Sequence, residues 1–155
     1  MVSAGVSVGG KGRLHLIPNK TKVIAKLYVE TLLLELVQDC RSVLPSGFIF
    51  QQDGAPAHKT EDWIASNCSE FIGKDEWPSN SPDLDPLDYH VWGAMLEHYK
   101  SFQPKLENID ELKKVLQLIW DQLPQDSINK AILSFPKRLQ DCVRAGGGHF
   151  EHTLK

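Results

Sequence analysis

FIFQQD, Phe48 to Asp53, is the stretch that decides the fold, because a short apolar run here ends in polar residues. Such a run is typical of a strand inside a parallel or mixed sheet, which is buried on both faces. In α/β sheets, functional side chains gather just beyond the carboxyl ends of the strands. The stretch therefore predicts a central strand whose last residue, Asp53, opens into a site. Capping of the following turn is the plainer interpretation of the same aspartate.

Outward from this strand, the sequence predicts a hairpin, a helix and a second helix–strand pair. Met1–Val8 and Arg13–Ile17 flank a glycine-rich turn and should form the two strands of the hairpin. Apolar residues at helical spacing predict one long amphipathic helix over Lys20–Val43. After Asp53, we expect a shorter helix over Lys59–Asn67 and a short strand near Phe71–Ile72.

Only helices are predicted beyond the proline- and serine-rich loop that follows. Asn108 and Glu111 have the spacing of a capping box, which marks the clearest helix start. Pro136 is expected to kink the last helix, because proline lacks a backbone donor and its ring clashes with the preceding turn. The predicted helices are Pro86 to about Ser101, Ile109–Leu123 and Ser127 to about Ala145. The fold class that follows is α/β, a mixed sheet flanked by helices with a helical C-terminal part.

Length and composition fit one compact domain. The 155 residues, 41% of them hydrophobic, suit a single core over residues 1–145, and the glycines at 146–148 should release a flexible tail over 146–155. The apolar runs are too short to span a bilayer. Three widely spaced cysteines argue for a reducing compartment and against a disulfide framework or a structural zinc site. A cytoplasmic or nuclear protein is expected.

The net charge of −3 argues against nucleic-acid binding by the chain as a whole, but the charge is unevenly distributed. Residues 1–28 hold five basic residues and no acidic one, whereas residues 53–99 hold ten acidic residues and two basic ones. The first stretch is suited to DNA phosphates, and the second to hard divalent cations, which take oxygen ligands. A solvated surface is the plainer interpretation of both.

Asp88 is the second carboxylate of interest, and its surroundings also allow a structural interpretation. Asp85, Pro86 and Asp88 have the pattern of a helix start, with an aspartate at the cap and a second carboxylate facing the helix dipole. Spacing alone leaves both interpretations open. An unrelated acid–base hydrolase that uses Asp53 and Asp88 is a further alternative.

Two ordered motifs resemble the signature of mariner-type DNA transposases, a branch of the DDE/DDD superfamily that includes the retroviral integrases. The motifs are QQDGAPAH, Gln51–His58, and WPSNSPDLDPLDYHVW, Trp77–Trp92. The family's second catalytic aspartate heads the first motif and matches Asp53; its third acidic residue matches Asp88. Thirty-four residues lie between them, the spacing characteristic of the mariner branch. The resemblance also includes the hairpin and the GGGHFEH segment, so it covers nearly the whole chain.

This resemblance implies an RNase H-like fold and metal-dependent cleavage and transfer of DNA strands. Two Mg²⁺ or Mn²⁺ ions about 3.5–4 Å apart would flank the scissile phosphate. Asp53 and Asp88 are the implied catalytic and metal-binding residues. His58, Asp83 and Asp85 are the implied residues that shape the site or contact substrate. DNA and a second copy of the chain are the implied partners, with no membrane or small-molecule substrate, and the implied compartment is the nucleus.

The chain departs from the family pattern at Asp85, where the family has Asn, and in its first ligand. The family's first catalytic aspartate lies on a strand before the hairpin, but here no Asp or Glu precedes Glu30, which falls in a predicted helix. We therefore expect the first strand of the fold to be missing and the chain alone to be inactive or nearly so. Its open sheet edge should favour self-association. The alternative is a non-catalytic, transposase-derived DNA-binding or protein-interaction module, cytoplasmic if it is a relic.

Overall fold

The computed structural model describes residues 2–17, 28–52, 58–73, 75–78, 82–102 and 106–150. The chain forms two compact units. Unit 1 comprises Met1–Gly5 and Gly9–Asn80, and unit 2 comprises Val6–Val8 and Ser81–Lys155. The predicted bounds of one domain and a flexible tail stay predictions. No helix in the described ranges is long and apolar enough to cross a membrane.

Short strands occupy the region of the predicted hairpin. They are β1 (Val2–Ser3), β2 (Val6–Ser7), β3 (Gly10–Lys11) and β4 (His15–Leu16). β1 pairs antiparallel with β4, which confirms the hairpin for its outer strands. The continuous strand predicted over Met1–Val8 is instead broken between β1 and β2. The carbonyl of Gly5 in this break accepts a hydrogen bond from Gly12 N at 2.9 Å, across the hairpin.

The rest of unit 1 contains the predicted helices and parallel strands. They are α1 (Leu34–Val43), which continues a wider π-helical turn over Tyr28–Leu33, then β5 (Ile49–Gln51), α2 (His58–Asn67) and β6 (Glu70–Ile72). The predicted helix over Lys20–Val43 is confirmed from residue 28 onward, since residues 18–27 lie outside the described ranges. β5 and β6 pair in parallel, with Phe50 opposite Phe71. The pairs β1–β4 and β5–β6 are thus antiparallel and parallel, and they belong to separate two-stranded sheets among the described residues. One continuous mixed sheet stays a prediction.

An apolar core holds this part of unit 1 together. Phe50 on β5 is buried between residues of the two helices, because a strand that is covered on its faces contributes its apolar side chains to the interior. The buried members of the core are Leu33, Val37, Phe50, Ile64 and Cys68. Helices α1 and α2 and strand β5 therefore share one core.

Unit 2 contains the predicted C-terminal helices. They are a 3₁₀ turn (Pro82–Leu84), a π-helical turn (Leu87–Val91), α3 (Trp92–Lys100), α4 (Ile109–Gln122), α5 (Gln125–Leu133) and α6 (Phe135–Arg144). The helix expected over Ser127 to about Ala145 is interrupted at Ser134 and forms two helices, although the backbone of Ser134 itself stays helical. Pro136 falls in the first turn of α6, where a missing backbone donor costs nothing.

The start of α4 follows the predicted capping pattern with one shift. Asn108 Oδ1 accepts a hydrogen bond from Glu111 N at 2.9 Å, which confirms the cap. Glu111 Oε2 accepts from Glu107 N at 3.0 Å, one residue earlier than in a standard capping box. The buried residues of unit 2 include Leu84, Val91, Met95, Ile119, Trp120, Leu123, Ile128, Ala131 and Phe150.

Candidate functional site

The first predicted site residue lies just beyond the described end of β5. The strand ends at Gln51, and Gln52 follows as a half-buried residue. Asp53 and the side chain of His58 lie outside the described residues, although the backbone of His58 begins α2. The strand that should present Asp53 is therefore in place, and the roles of Asp53 and His58 stay predictions.

Asp88 lies on the π-helical turn that begins the helix of α3. The N–H of Trp92 donates to the carbonyl of Leu87, five residues back, so this turn is wider than an α-helical one. Single wide turns of this kind occur frequently at functional sites. Asp88 is exposed, whereas Val91, on the same turn, is fully buried. The turn thus directs an acidic side chain to solvent while its apolar residue enters the core of unit 2.

Asp85 caps this helix. It is 8% exposed, and its Oδ1 accepts a hydrogen bond from Leu87 N at 2.9 Å. Its backbone carbonyl accepts from the N–H groups of Asp88 and Tyr89 at 3.0 and 2.9 Å. The capping interpretation is confirmed for Asp85, which satisfies donors that a helix start would otherwise leave unpaired. The interpretation of Asp88 as a carboxylate that faces the helix dipole stays a prediction beside its catalytic role.

Asp83 is contacted from the C-terminal end of unit 2. Its backbone carbonyl accepts a hydrogen bond from Arg138 Nη1 at 2.9 Å. Gly146 and Gly147 have φ of 63° and 82°, which reverse the chain after α6. His149 Nδ1 then lies 3.7 Å from Asp83 Oδ2, but this histidine side chain is 97% exposed, so the pair contributes little.

Arg138 and Tyr89 are the residues that the sequence did not indicate. The guanidinium carbon of Arg138 lies 3.8 Å from the centroid of the Tyr89 ring. The two residues lie on different helices, far apart in sequence. Tyr89 falls within the second motif but has no role assigned there, and Arg138 falls in neither motif. Only the folding of α6 against the Pro82–Leu84 turn brings them together.

A second polar cluster ties the hairpin of unit 1 to α1. Asp39 accepts hydrogen bonds from Arg13 Nε at 2.7 Å, Arg13 N at 3.0 Å and His15 Nε2 at 3.0 Å. The other ring nitrogen of His15 lies 3.0 Å from Glu35 Oε2. Burial acts to raise the pKa of Asp39, but the bonds from Arg13 and His15 outweigh it and lower that pKa. A Cβ at Gly12 would lie 3.0 Å from Asp39 Oδ2, so the cluster is closely packed.

The carboxylate of Asp88 is the type of ligand that a hard divalent cation prefers. Asp88 offers an exposed carboxylate, the ligand that Mg²⁺ and Mn²⁺ take from proteins. Within the described residues, no three His, Cys, Asp or Glu side chains gather in a way that could hold a metal ion. Asp53, the other predicted ligand, lies outside the described residues.

Curated transposases show sequence similarity to the chain. The Tcb2 transposase of Caenorhabditis briggsae is 30% identical over 110 residues, which are 69% of this chain and 38% of that protein. The Tc1 transposase of Caenorhabditis elegans is 32% identical over 104 residues, 65% of this chain and 36% of that protein. The chain belongs to the Tc1/mariner transposase family. It spans well under half the length of these family members, and no family model matches it.

Solved structures of another family member share the fold. The catalytic domain of Mos1 transposase with raltegravir and manganese has a TM-score of 0.81 at 22% identity, covering 96% of this chain and 76% of that one. The Mos1 paired-end complex with the left transposon end has a TM-score of 0.79 at 23% identity, covering 96% of this chain and 44% of that one. The RNase H-like α/β fold predicted for this Tc1/mariner chain is therefore confirmed, while the absence of a first strand stays a prediction.

Proposed function

We propose that the chain is the catalytic core of a Tc1/mariner transposase, which binds transposon-end DNA and cuts and joins its strands with divalent metal ions. One observation carries this proposal: a chain with the fold of the Mos1 catalytic domain has both carboxylate motifs of the family, in order and at the family spacing. Mos1 itself has been solved with Mn, with Mg and in a strand transfer complex. The same chemistry, a DNA partner, a paired second copy and a nuclear location are proposed here.

Asp53 and Asp88 are the proposed metal ligands and catalytic residues. The bound metal ions would supply Lewis-acid chemistry, which activates the attacking oxygen and stabilises the leaving oxygen. Asp88 is suited to this role because it is exposed at a helix start that Asp85 already caps. We propose that Asp83 and Asp85 hold the segment that carries Asp88, and that His58 contacts the substrate.

We further propose that these 155 residues are inactive by themselves. The family's first catalytic aspartate has no counterpart here, because no Asp or Glu precedes Glu30 in the sequence. Two carboxylates leave the metal ions short of one protein ligand. Activity then requires an aspartate, and the strand that carries it, supplied from outside these residues.

Nicking of supercoiled plasmid tests the proposal. The purified chain is compared with a version in which an aspartate-bearing strand from the Tc1 transposase is joined ahead of Val2. The expected result is nicking with Mg²⁺ or Mn²⁺ only in the joined protein, lost when the added aspartate is changed to Asn. Asp53→Asn and Asp88→Asn should each abolish it, because each removes a metal ligand.

Asp110→Asn is the matched control for Asp88→Asn. Asp110 is also an exposed aspartate in the first turn of a helix, so its substitution reproduces any loss of helix-dipole stabilisation. Nicking that survives Asp88→Asn as well as it survives Asp110→Asn would contradict the proposed role. A folded joined protein that binds DNA without nicking it would instead favour the non-catalytic module.

A further inference from the structure

The segment that carries Asp88 is held on both sides by one side chain of α6. Arg138 Nη1 donates to the carbonyl of Asp83, five residues before Asp88, at 2.9 Å. The guanidinium carbon of the same residue lies over the ring of Tyr89, directly after Asp88, at 3.8 Å from the ring centroid. A cation over an aromatic face is attractive, and a guanidinium can stack while it donates in its own plane.

Hydrogen bonds hold Tyr89 in place, so the ring that Arg138 contacts has a fixed position. The hydroxyl of Tyr89 donates to the carbonyl of Ala131 on α5. The Tyr89 N–H also bonds to the carbonyl of Asp85. The ring is therefore held by α5 on its hydroxyl end and by α6 on its face.

We propose that Arg138 is a positioning residue, which fixes the backbone of the Asp83–Tyr89 segment and thereby the direction of the Asp88 carboxylate. The inference rests on the proposed function, since it assigns Arg138 to the same site. Asp88 is exposed, so core packing does not fix its side chain. A metal ligand has to be held closely by residues around it, and Arg138 supplies this support from a separate helix.

Amide hydrogen exchange and Mn²⁺ binding on the 155-residue chain test the inference together. Arg138→Ala should speed exchange of the Asp88 and Tyr89 amides about tenfold, because it removes a contact with the ring and a hydrogen bond. Mn²⁺ binding that depends on Asp88 should weaken severalfold in the same variant. Arg138→Lys should be intermediate in both measurements, because an ammonium can face the ring but cannot also donate in the guanidinium plane.

Arg144→Ala is the matched control. Arg144 lies on the same helix, is exposed and pairs with Asp141 at 3.4 Å, so neither measurement should change. Unchanged exchange at Asp88 and Tyr89 in Arg138→Ala, or unchanged Asp88-dependent Mn²⁺ binding, overturns the inference. If Arg138→Ala does not fold, Arg138→Lys decides by the same two criteria. Mn²⁺ binding in the wild type that Asp88→Asn leaves intact contradicts the proposed function, and exchange then decides on Arg138 separately.

Discussion

Gly10 of the hairpin lies against Val43 at the end of α1, and the approach leaves no room for a side chain. A Cβ at position 10 would lie 2.6 Å from Val43 Cγ1. The φ of Gly10 is 154°, a conformation that L side chains rarely adopt. Glycine is thus required here both by the backbone and by the space, and the hairpin can lie close to the helix only with it.

Gly10→Ala should lower the free energy of unfolding by about 1–3 kcal/mol, because the new methyl group overlaps Val43 and strains the backbone. Chemical denaturation monitored by circular dichroism measures the change. Gly93→Ala is the comparison, since nothing lies within 4 Å of a Cβ at that position on α3. That substitution should raise the free energy of unfolding by up to about 1 kcal/mol. Equal effects of the two would show that Gly10 is not closely packed.

Lowering the pH should reduce the free energy of unfolding, because the carboxylate of Asp39 becomes protonated. The pKa of this carboxyl lies below its ordinary value of 3.8, so its bonds to Arg13 and His15 stabilise the fold above pH 3.8 and are lost as the pH falls below it. Asp39→Asn should cost about 1–3 kcal/mol at neutral pH, and the difference from the wild type should shrink in acid. The midpoints of chemical denaturation of both proteins, measured from neutral pH to below pH 3.8, give this difference in stability.

Asp62→Asn is the control for the acid prediction. Asp62 is an exposed aspartate on α2, also in unit 1. Its substitution should leave the midpoint nearly unchanged at every pH. A gap between Asp39→Asn and wild type that stays constant into acid would mean that the charge of Asp39 does not stabilise the fold.

Two of the three thiols should react slowly with iodoacetamide in the native chain. Burial, with a smaller effect of the neighbouring Cys68, raises the pKa of Cys40 to about 11, and burial also raises the pKa of Cys68. Because the thiolate is the nucleophile, Cys40 should react about tenfold or more slowly in the native chain than in the denatured one, and Cys68 should also react more slowly in the native chain. Mass spectrometry of the native and the denatured chain measures the rates. Rapid labelling of native Cys40 would contradict the core packing.

Asn108→Ala should destabilise α4 by about 1 kcal/mol, because it removes the acceptor for the Glu111 N–H. The melting temperature should fall by about 2–4 °C, measured by calorimetry. Asn108→Asp keeps an acceptor at the same position and should retain most of the stability. If the two variants have the same melting temperature, the hydrogen bond at the cap does not contribute to the stability of the fold.

Elements with a strong local signal could be predicted from the sequence. The apolar stripe and cap of α4 are adjacent in the chain, and the run before Asp53 identified β5, because both patterns depend only on near neighbours. The break after β1 was not predicted, although Gly5 is a residue type that commonly interrupts a strand. For the last helix, the sequence predicts only a kink near Pro136, because a proline there is compatible with one bent helix or with two helices that meet at Ser134.

At the candidate site, too, only features with a local sequence pattern could be predicted. Asp85 could be recognised as a cap because the helix-start pattern is local. The contact between Arg138 and Tyr89 could not be predicted, because it depends on how α6 packs within unit 2 rather than on sequence spacing. The wide turn around Asp88 also has no signature in composition. The carboxylates themselves were found through the family motifs and not through periodicity.

The wide turn between Leu87 and Val91 makes chain length there as important as residue identity. It holds one residue more than an α-helical turn, and each residue of an α-helix turns the chain by about 100°. Deleting one residue from it would restore regular pitch, and Asp88 would rotate relative to Val91 and Met95, whose burial fixes the helix. When relatives are aligned, a single gap between Leu87 and Val91 therefore means a carboxylate that points elsewhere, even where the aspartate itself is kept.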